Sequence, residues 1–453
     1  MIYRLLSIFL IGVATFGGDY ASAAPAPFAF VNVNVLPMDS EVVLASQTVV
    51  IEDGRISKMG PVHDIPLPPG TRKIRGDGLY LMPGLAEMHA HIPGLADADN
   101  LDRILFLNVA HGITVVRGML GEADHLDLRR QLALGHRLGP RLYTSGPSLN
   151  GRSVNGPEDA GNKVRLQQAA GFDFVKLHPG LNLREFRAID RVADELGIPY
   201  GGHVGILVGV PEALRRGQAS IDHLDGYLQA LVPEGTVYPD AANGLFGLGL
   251  TGLVDESRIE PLAKATAKAG VWIVPTQTFL EHLVLPPAAR EMSGRPEMVY
   301  VQEATLARWS KSKNAVLDDA GYDRAGAEQF IALRRKIIKA LHDQGVGLLL
   351  GSDAPQVFNV PGVATHQELE LLVASGLTPY QALRTGTVNP ARYFGAEGEF
   401  GRVRVGLSAE LILLEGNPFA DITNTRNIRG VMLKGQWLDR QQISQGLAFW
   451  ALR

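Results

Sequence analysis

The chain of 453 residues contains no cysteine. That absence excludes disulfides, thiolate metal ligands, a cysteine nucleophile and a lipid anchor on an N-terminal cysteine. Any metal has to be held by histidine, carboxylates or something less usual. Beyond its first two dozen residues the chain also lacks an apolar run long enough for a transmembrane helix, so a soluble mature protein without stable membrane insertion is expected. A formal net charge of −4 and the lack of a basic cluster argue against nucleic acid or an anionic membrane as partner. Internal repeats and low-complexity tracts are missing too. With 46% hydrophobic and 20% charged residues, the composition is that of an ordinary globular protein, long enough for more than one domain.

The start of the chain differs in kind. Arg4 supplies a positive charge, Leu5 to Phe16 form a short apolar run, and Ala21-Ser22-Ala23 has the A-x-A pattern of a cleavage site. Residues 1–23 therefore read as a signal peptide cut after Ala23, which implies a periplasmic or secreted protein. Ala24-Pro25-Ala26-Pro27 follows as a stiff linker, because each proline fixes its own backbone and restricts the residue before it.

β-rich runs come next: Phe28 to Leu36, Thr48 to Glu52 and Ile56 to Met59, with Asp53-Gly54 as a hairpin turn. Similar texture returns near the C-terminus at Arg402 to Val405, Leu411 to Leu414 and Ile428 to Leu433, with Lys434-Gly435 as a turn before Gln436-Trp437-Leu438. Neither end has enough strands to bury a core alone. The expectation is one discontinuous β-sandwich domain, residues 24–83 with 398–453.

Between them, residues 84–397 alternate β-like and helical segments. Eight β-like runs stand out: Leu85 to Met88, Ile113 to Val116, Arg141 to Thr144, Phe172 to Leu177, Pro199 to Gly202, Ala219 to Ile221, Val271 to Pro275 and Gly347 to Leu350. Leu183 to Leu196 and Gly326 to His342 carry helical apolar spacing. This pattern predicts an α/β fold, a (β/α)8 TIM barrel. The long connections Asp225 to Gly270 and Gln277 to Val346 are expected to form lids.

Reactive groups of such a barrel sit at the carboxyl ends of its strands. The first run ends in His89-Ala90-His91, whose alternating side chains point the same way about 6 to 7 Å apart, a spacing that can grip a metal. The fourth run carries Lys176 near its end, followed by His178. The fifth ends in His203, the sixth in His223, the eighth in Asp353. Each has a bland alternative: Lys176 alone would be a solvated strand-end lysine, and Asp353 could cap the next helix. Their recurrence at strand ends favours a joint site. His63, His111, His125, His136, His282, His342 and His366 are read as ordinary histidines.

This set resembles the amidohydrolase superfamily, with a texture similar to its imidazolonepropionase-like and Xaa-Pro dipeptidase-like branch. The resemblance extends to Pro83-Gly84-Leu85, to Gly112-Ile113-Thr114-Val115-Val116-Arg117, to Asn389-Pro390-Ala391-Arg392 and to Gly406-Leu407-Ser408-Ala409-Glu410-Leu411. Glu87 and Glu410 stand where that family usually has Asp, and both keep the charge. The resemblance implies two divalent metal ions, zinc first among Zn, Mn, Fe and Co. His89 and His91 would hold one ion and His203 and His223 the other. Asp353 would touch the first and act as the catalytic proton acceptor, and a CO2-derived carbamate on Lys176 would bridge both. Arg117, Tyr227 and His178 are candidate substrate contacts, with structural roles as the alternative.

The resulting expectation is a metal-dependent hydrolase of an amide bond in a small-molecule substrate, with dipeptidase activity as the first guess. Lactonase, cyclic amidase or carbamate hydrolase activity would use the same groups. A single-metal deaminase is disfavoured, since the family's deaminases usually carry Glu three residues after the fifth-strand histidine and Ile206 stands there. A non-catalytic binding protein would be expected to have lost ligands, and none is lost. The oligomeric state is left open, a homo-oligomer included.

Overall fold

The structure is a computed structural model that describes residues 26–319 and 321–451. The expected signal peptide and its cut lie outside the described residues. Strands β1 (Phe28–Val35), β2 (Leu44–Glu52) and β3 (Arg55–Pro61) form an antiparallel meander. Asp53 and Gly54 turn between the last two with positive φ of 49° and 73°, the left-handed backbone that a two-residue hairpin needs. β4 (Arg72–Arg75) and β5 (Tyr80–Pro83) then run parallel to β1.

Two all-parallel sheets follow. β6 (Leu85–Ala90), β7 (Ile113–Gly118) and β8 (Arg141–Thr144) form one; β9 (Val175–Leu177), β10 (Tyr200–Gly202), β11 (Ser220–Asp222) and β12 (Trp272–Val274) form the other. Single parallel bridges connect them: Ser145 with Phe174 beyond β8, and Ile273 of β12 with Leu348. The extended segment 347–354 leads back to β6, where the Met88 amide donates to the Leu350 carbonyl (2.7 Å) and the His91 amide to the Ala354 carbonyl (2.9 Å). Seven of the eight expected runs are thus strands, and the eighth is extended backbone joined to its neighbours by isolated bonds.

Helices separate the parallel strands. Leu183–Leu196 has the predicted bounds because Asn182 and Glu185 form a capping box at one end, Gly197 ends it in left-handed backbone, and Phe186, Ile189, Val192 and Ala193 make its buried stripe. The connection after β12 holds the helices Gln277–Val284, Ala289–Ser293, Glu303–Leu317 and Arg324–Asp343. None of the described helices is long and apolar enough to cross a membrane.

Near the C-terminus come β13 (Leu411–Leu414), β14 (Ile428–Leu433) and β15 (Gln436–Asp439), followed by the helix Arg440–Trp450, and β13 lies antiparallel to β5. Strands from the two ends of the chain thus share one sheet, in place of the two packed sheets expected. Their ladders run as one continuous eight-stranded sheet, because β5 pairs with β1 on one side and β13 on the other. Alternation divides its faces: Leu411 and Leu413 pack with Phe30, Val49 and Trp437, whereas Ile412 and Leu414 join the large core of the parallel strands. Arg402 to Val405, read as a strand, is not one. It is bounded by Gly401 and Gly406 at φ 89° and 93°; its ties to the segment after β1 are the Val403 amide donating to the Pro37 carbonyl (3.2 Å) and the Arg402–Asp39 ion pair (2.7 Å).

Candidate metal centre

β6, β9, β10, β11 and the segment after Leu350 bring His89, His91, Lys176, His203, His223 and Asp353 to one place. One ligand atom each from His89, His223 and Asp353 lie within 4.8 Å of one another. Asp353 Oδ1 is 3.1 Å from His91 Nε2 and 3.5 Å from His89 Nε2, and Lys176 Nζ is 3.4 Å from His89 Nε2. The rings of His203 and His223 are 4.6 Å apart between centroids, those of His89 and His223 4.5 Å. His89, Lys176, His223 and Asp353 are buried, while the side chains of His91 and His203 keep 17% and 11% exposure. The cluster opens to solvent on the side of those two.

A second layer orients the rings. His89 Nδ1 lies 2.8 Å from Asp222, His203 Nδ1 2.9 Å from Asp225 and His223 Nδ1 2.8 Å from the Thr276 hydroxyl. His203 and His223 are hydrogen-bonded through Nδ1, and His89 Nδ1 lies beside Asp222 without a hydrogen bond; all three rings turn Nε2 toward the cluster, as in metal sites whose outer partners orient the ligands. Burial, reinforced by the neighbouring charge of Lys176, holds the His89 imidazole well below its ordinary pKa, and burial does the same to His223. Both rings are therefore neutral and can donate a lone pair. Burial likewise pushes the Asp353 carboxyl well up, although Lys176 pulls the other way. His223, Thr276 and Asp353 all have left-handed backbone, at φ 64°, 48° and 63°. Such strain in non-glycine residues clusters at functional sites.

Buried charges brace this layer. The Arg117 guanidinium donates to the Met88 carbonyl (2.6 Å), Ser220 Oγ (2.9 Å), the Tyr393 hydroxyl (3.0 Å) and both Asp222 oxygens (3.2 Å). Glu87 accepts from the amides of His89 and Ser352 and from the hydroxyls of Ser352 and Thr365, fastening β6 to the eighth segment. Arg334 donates to the carbonyls of His223 and Pro275 and to Gln277 Oε1, at 2.6 to 2.9 Å.

Among the expected substrate contacts, His178 stacks on His203 at 5.0 Å and stays partly exposed beside the opening. Arg117 and Tyr227 do not reach a pocket mouth. Both are fully buried, Arg117 saturated as above and Tyr227 bonded through its hydroxyl to Thr266 (2.9 Å). Sequence reasoning missed Asp222, Asp225, Thr276 and Arg334. The one available signal was a carboxylate, Asp222, inside the β run Ala219-Ser220-Ile221-Asp222, where burial demands a cationic partner. Of the histidines read as ordinary, His125, His282 and His366 are indeed held by hydrogen bonds away from the cluster.

Parallel strands whose ends gather neutral imidazoles, a lysine and an aspartate define an α/β enzyme with its reactive groups on one rim. The amidohydrolase family model matches residues 80–438, so the chain belongs to the amidohydrolase family and is a hydrolytic enzyme. Solved structures share the fold at low identity. A Bifidobacterium longum protein assigned as a prolidase is 24% identical over 94% of this chain and 99% of that one, with a TM-score of 0.67. A bottromycin amidohydrolase is 22% identical over 95% and 92%, at 0.72. A Xaa-Pro dipeptidase with methionine in its active site is 18% identical over 91% and 100%, at 0.65. No curated protein matches the chain.

Proposed function

We propose that the chain is a metal-dependent hydrolase of amide C–N bonds in small substrates, with dipeptides the first class to try. In this reading residues 84–397 are a (β/α)8 barrel, supported by the run of backbone contacts from β6 round to Leu350 and back. Residues 24–83 and 398–453 form the appended β domain, and the leader read over residues 1–23 supports export to the periplasm or beyond.

The observation that carries the proposal is Asp353. Its Oδ1 is buried without a hydrogen-bond partner and faces two imidazole Nε2 atoms, with Lys176 behind them. An orphaned carboxylate oxygen among neutral nitrogens fits a cation in the gap. His89 and His91 with Asp353 would hold one divalent ion and His203 with His223 a second; zinc suits this donor set. Lys176 fits between them only after losing its charge. Burial lowers its pKa against the pull of Asp222 and Asp353, which favours the neutral amine that adds CO2 to become a carbamate. Divalent ions bound here would acidify a water and polarise the scissile carbonyl. Asp353 is placed to accept that water's proton and return it to the leaving nitrogen, and His178 stands where a substrate would enter.

The test joins metal analysis to a substrate screen. Purified protein is expected to carry two divalent ions per chain, and Lys176→Ala to carry less than one. Activity toward Xaa-Pro dipeptides or N-acyl amino acids should fall more than about 100-fold in that variant, because even outer partners of a metal site are worth 10 to 100-fold. Lactones and cyclic amides complete the screen. Undiminished hydrolysis by chelated, metal-free protein would overturn the proposal.

A further inference from the structure

The helix Glu303–Leu317 lines a half-open pocket of about 440 Å³ with the helix Ala98–Ala110 and the loop that follows Asp353. Ile104, Leu107, Trp309 and Val360 supply apolar wall, while Arg103 and Arg308 supply positive charge. No aspartate or glutamate lines it. Arg103 is only 5% exposed, yet its guanidinium makes one hydrogen bond, to Asn100 Oδ1 (2.5 Å), and Asn100 is itself turned by donating to Asp97 (2.9 Å). A guanidinium has five N–H donors, so most of this buried one's capacity is unmet by the described residues. Arg308 donates to the Thr305 hydroxyl (2.7 Å), and among the described residues neither arginine forms a salt bridge, although the charges of Asp97 and Asp99 act on Arg103 from nearby.

We propose that this cavity binds a small ligand with an apolar body and a single carboxylate, the carboxylate held by Arg103 and Arg308. The planar donor fork of arginine matches a carboxylate's two oxygens, and Ile104, Leu107, Trp309 and Val360 give the ligand's body an apolar contact within a lining that Asn100, Gln302, Thr305 and Ser312 make otherwise polar. Pro355 and Gln356 belong to the same wall. They follow Ala354, whose carbonyl accepts the His91 amide (2.9 Å), so an occupant would touch the loop that carries Asp353. Two sources fit this chemistry: the carboxylate end of a substrate, which rests on the hydrolase reading above, and a separate effector, which does not.

Calorimetric titration of the purified full chain with 3-phenylpropanoate and with its neutral amide tests the proposal. The acid is expected to bind at least tenfold more tightly than the amide. Arg308→Gln and Arg103→Gln are each expected to weaken the acid at least tenfold and leave the amide unchanged. Arg308 is exposed, so its variant decides the matter should Arg103→Gln fail to fold. Equal affinity for acid and amide, or acid binding by Arg308→Gln as tight as in the parent chain, overturns the site. Competitive inhibition of hydrolysis that disappears in Arg308→Gln assigns the site to the substrate's end. Saturable, Arg308-dependent binding with an unchanged KM assigns it to an effector. Binding is read without catalysis, so it stands or falls apart from the hydrolase proposal.

Discussion

Asp222 shows how much one residue can hold at the site without touching a substrate. It sits under the cluster, against His89 Nδ1 at 2.8 Å and Lys176 Nζ at 3.8 Å, and accepts from Nη2 of Arg117 on both its oxygens. Burial alone would raise its pKa, but the charges of Arg117 and Lys176 outweigh that and hold the carboxyl below its ordinary value. The fully buried guanidinium of Arg117 depends on it in return. Asp222→Ala should therefore act twice. Stability is expected to fall by about 3–5 kcal/mol, the cost of leaving one member of a buried ion pair uncompensated, read as a drop in the urea midpoint. Affinity for added zinc should fall about 10 to 100-fold, because His89 loses the partner that fixes its ring. Unchanged zinc affinity in a folded variant would mean that Asp222 braces Arg117 and nothing more.

At the level of the strand, Gly202 decides whether Lys176 fits. It ends β10 at φ 119°, outside what side-chain-bearing residues adopt readily, and a Cβ there would come within 2.5 Å of the Leu177 carbonyl oxygen and 2.8 Å of Lys176 Cδ. Gly202→Ala must therefore displace the lysine or the strand. Backbone strain of this sort costs about 1–3 kcal/mol, and the expected result is a lower melting temperature together with metal content reduced as in Lys176→Ala. Normal metal loading would sink this reading. Strand ends were also where the sequence was most legible. His89, His91, Lys176, His203, His223 and Asp353 could be read as a set because each closes a β-like run, and alternation fixes the side it faces. Asp222 was hidden by its own neighbour, since a residue just before a histidine ligand looks like part of the same strand. The eighth run was legible by its apolar residues, but only Leu348 makes a ladder bridge, so strand assignment fails where pairing is sparse. Arg402 to Val405 misled because β-branched content says nothing of a partner, and both flanking glycines turn the chain away.

The molecule as a whole is fastened at His366. This residue lies in the helix Val363–Ala374, bonds the carbonyl of His111 at the end of the helix Ala98–Ala110, and meets the hydroxyl of Thr425 just ahead of β14, at 2.9 Å on both sides. It thus ties the C-terminal strands to the parallel ones. The ring donates from Nε2 to the His111 carbonyl, and its Nδ1 meets a Thr425 hydroxyl that also donates to the Ile422 carbonyl (2.8 Å). Protonation would place a charge in a buried position beside the other buried imidazole, His111. Burial first, and His111 second, push the His366 pKa down to about 3 from an ordinary 6.5. A depressed histidine means that the unfolded chain takes up the proton first. The stability contributed by the neutral ring is therefore complete above pH 6.5 and is lost progressively as pH falls toward 3. At 1.36 kcal/mol per pH unit, the loss from this residue is about 2 kcal/mol by pH 5. His366→Gln keeps a polar side chain that can both donate and accept, and it cannot titrate. The gap between the urea-unfolding free energies of the parent chain and this variant should hence shift toward the variant by about that amount between pH 7 and pH 5. A gap that stays constant with pH would show that His366 carries the same charge in the folded and unfolded chain, and that the joint between the terminal sheet and the parallel strands is held by other contacts.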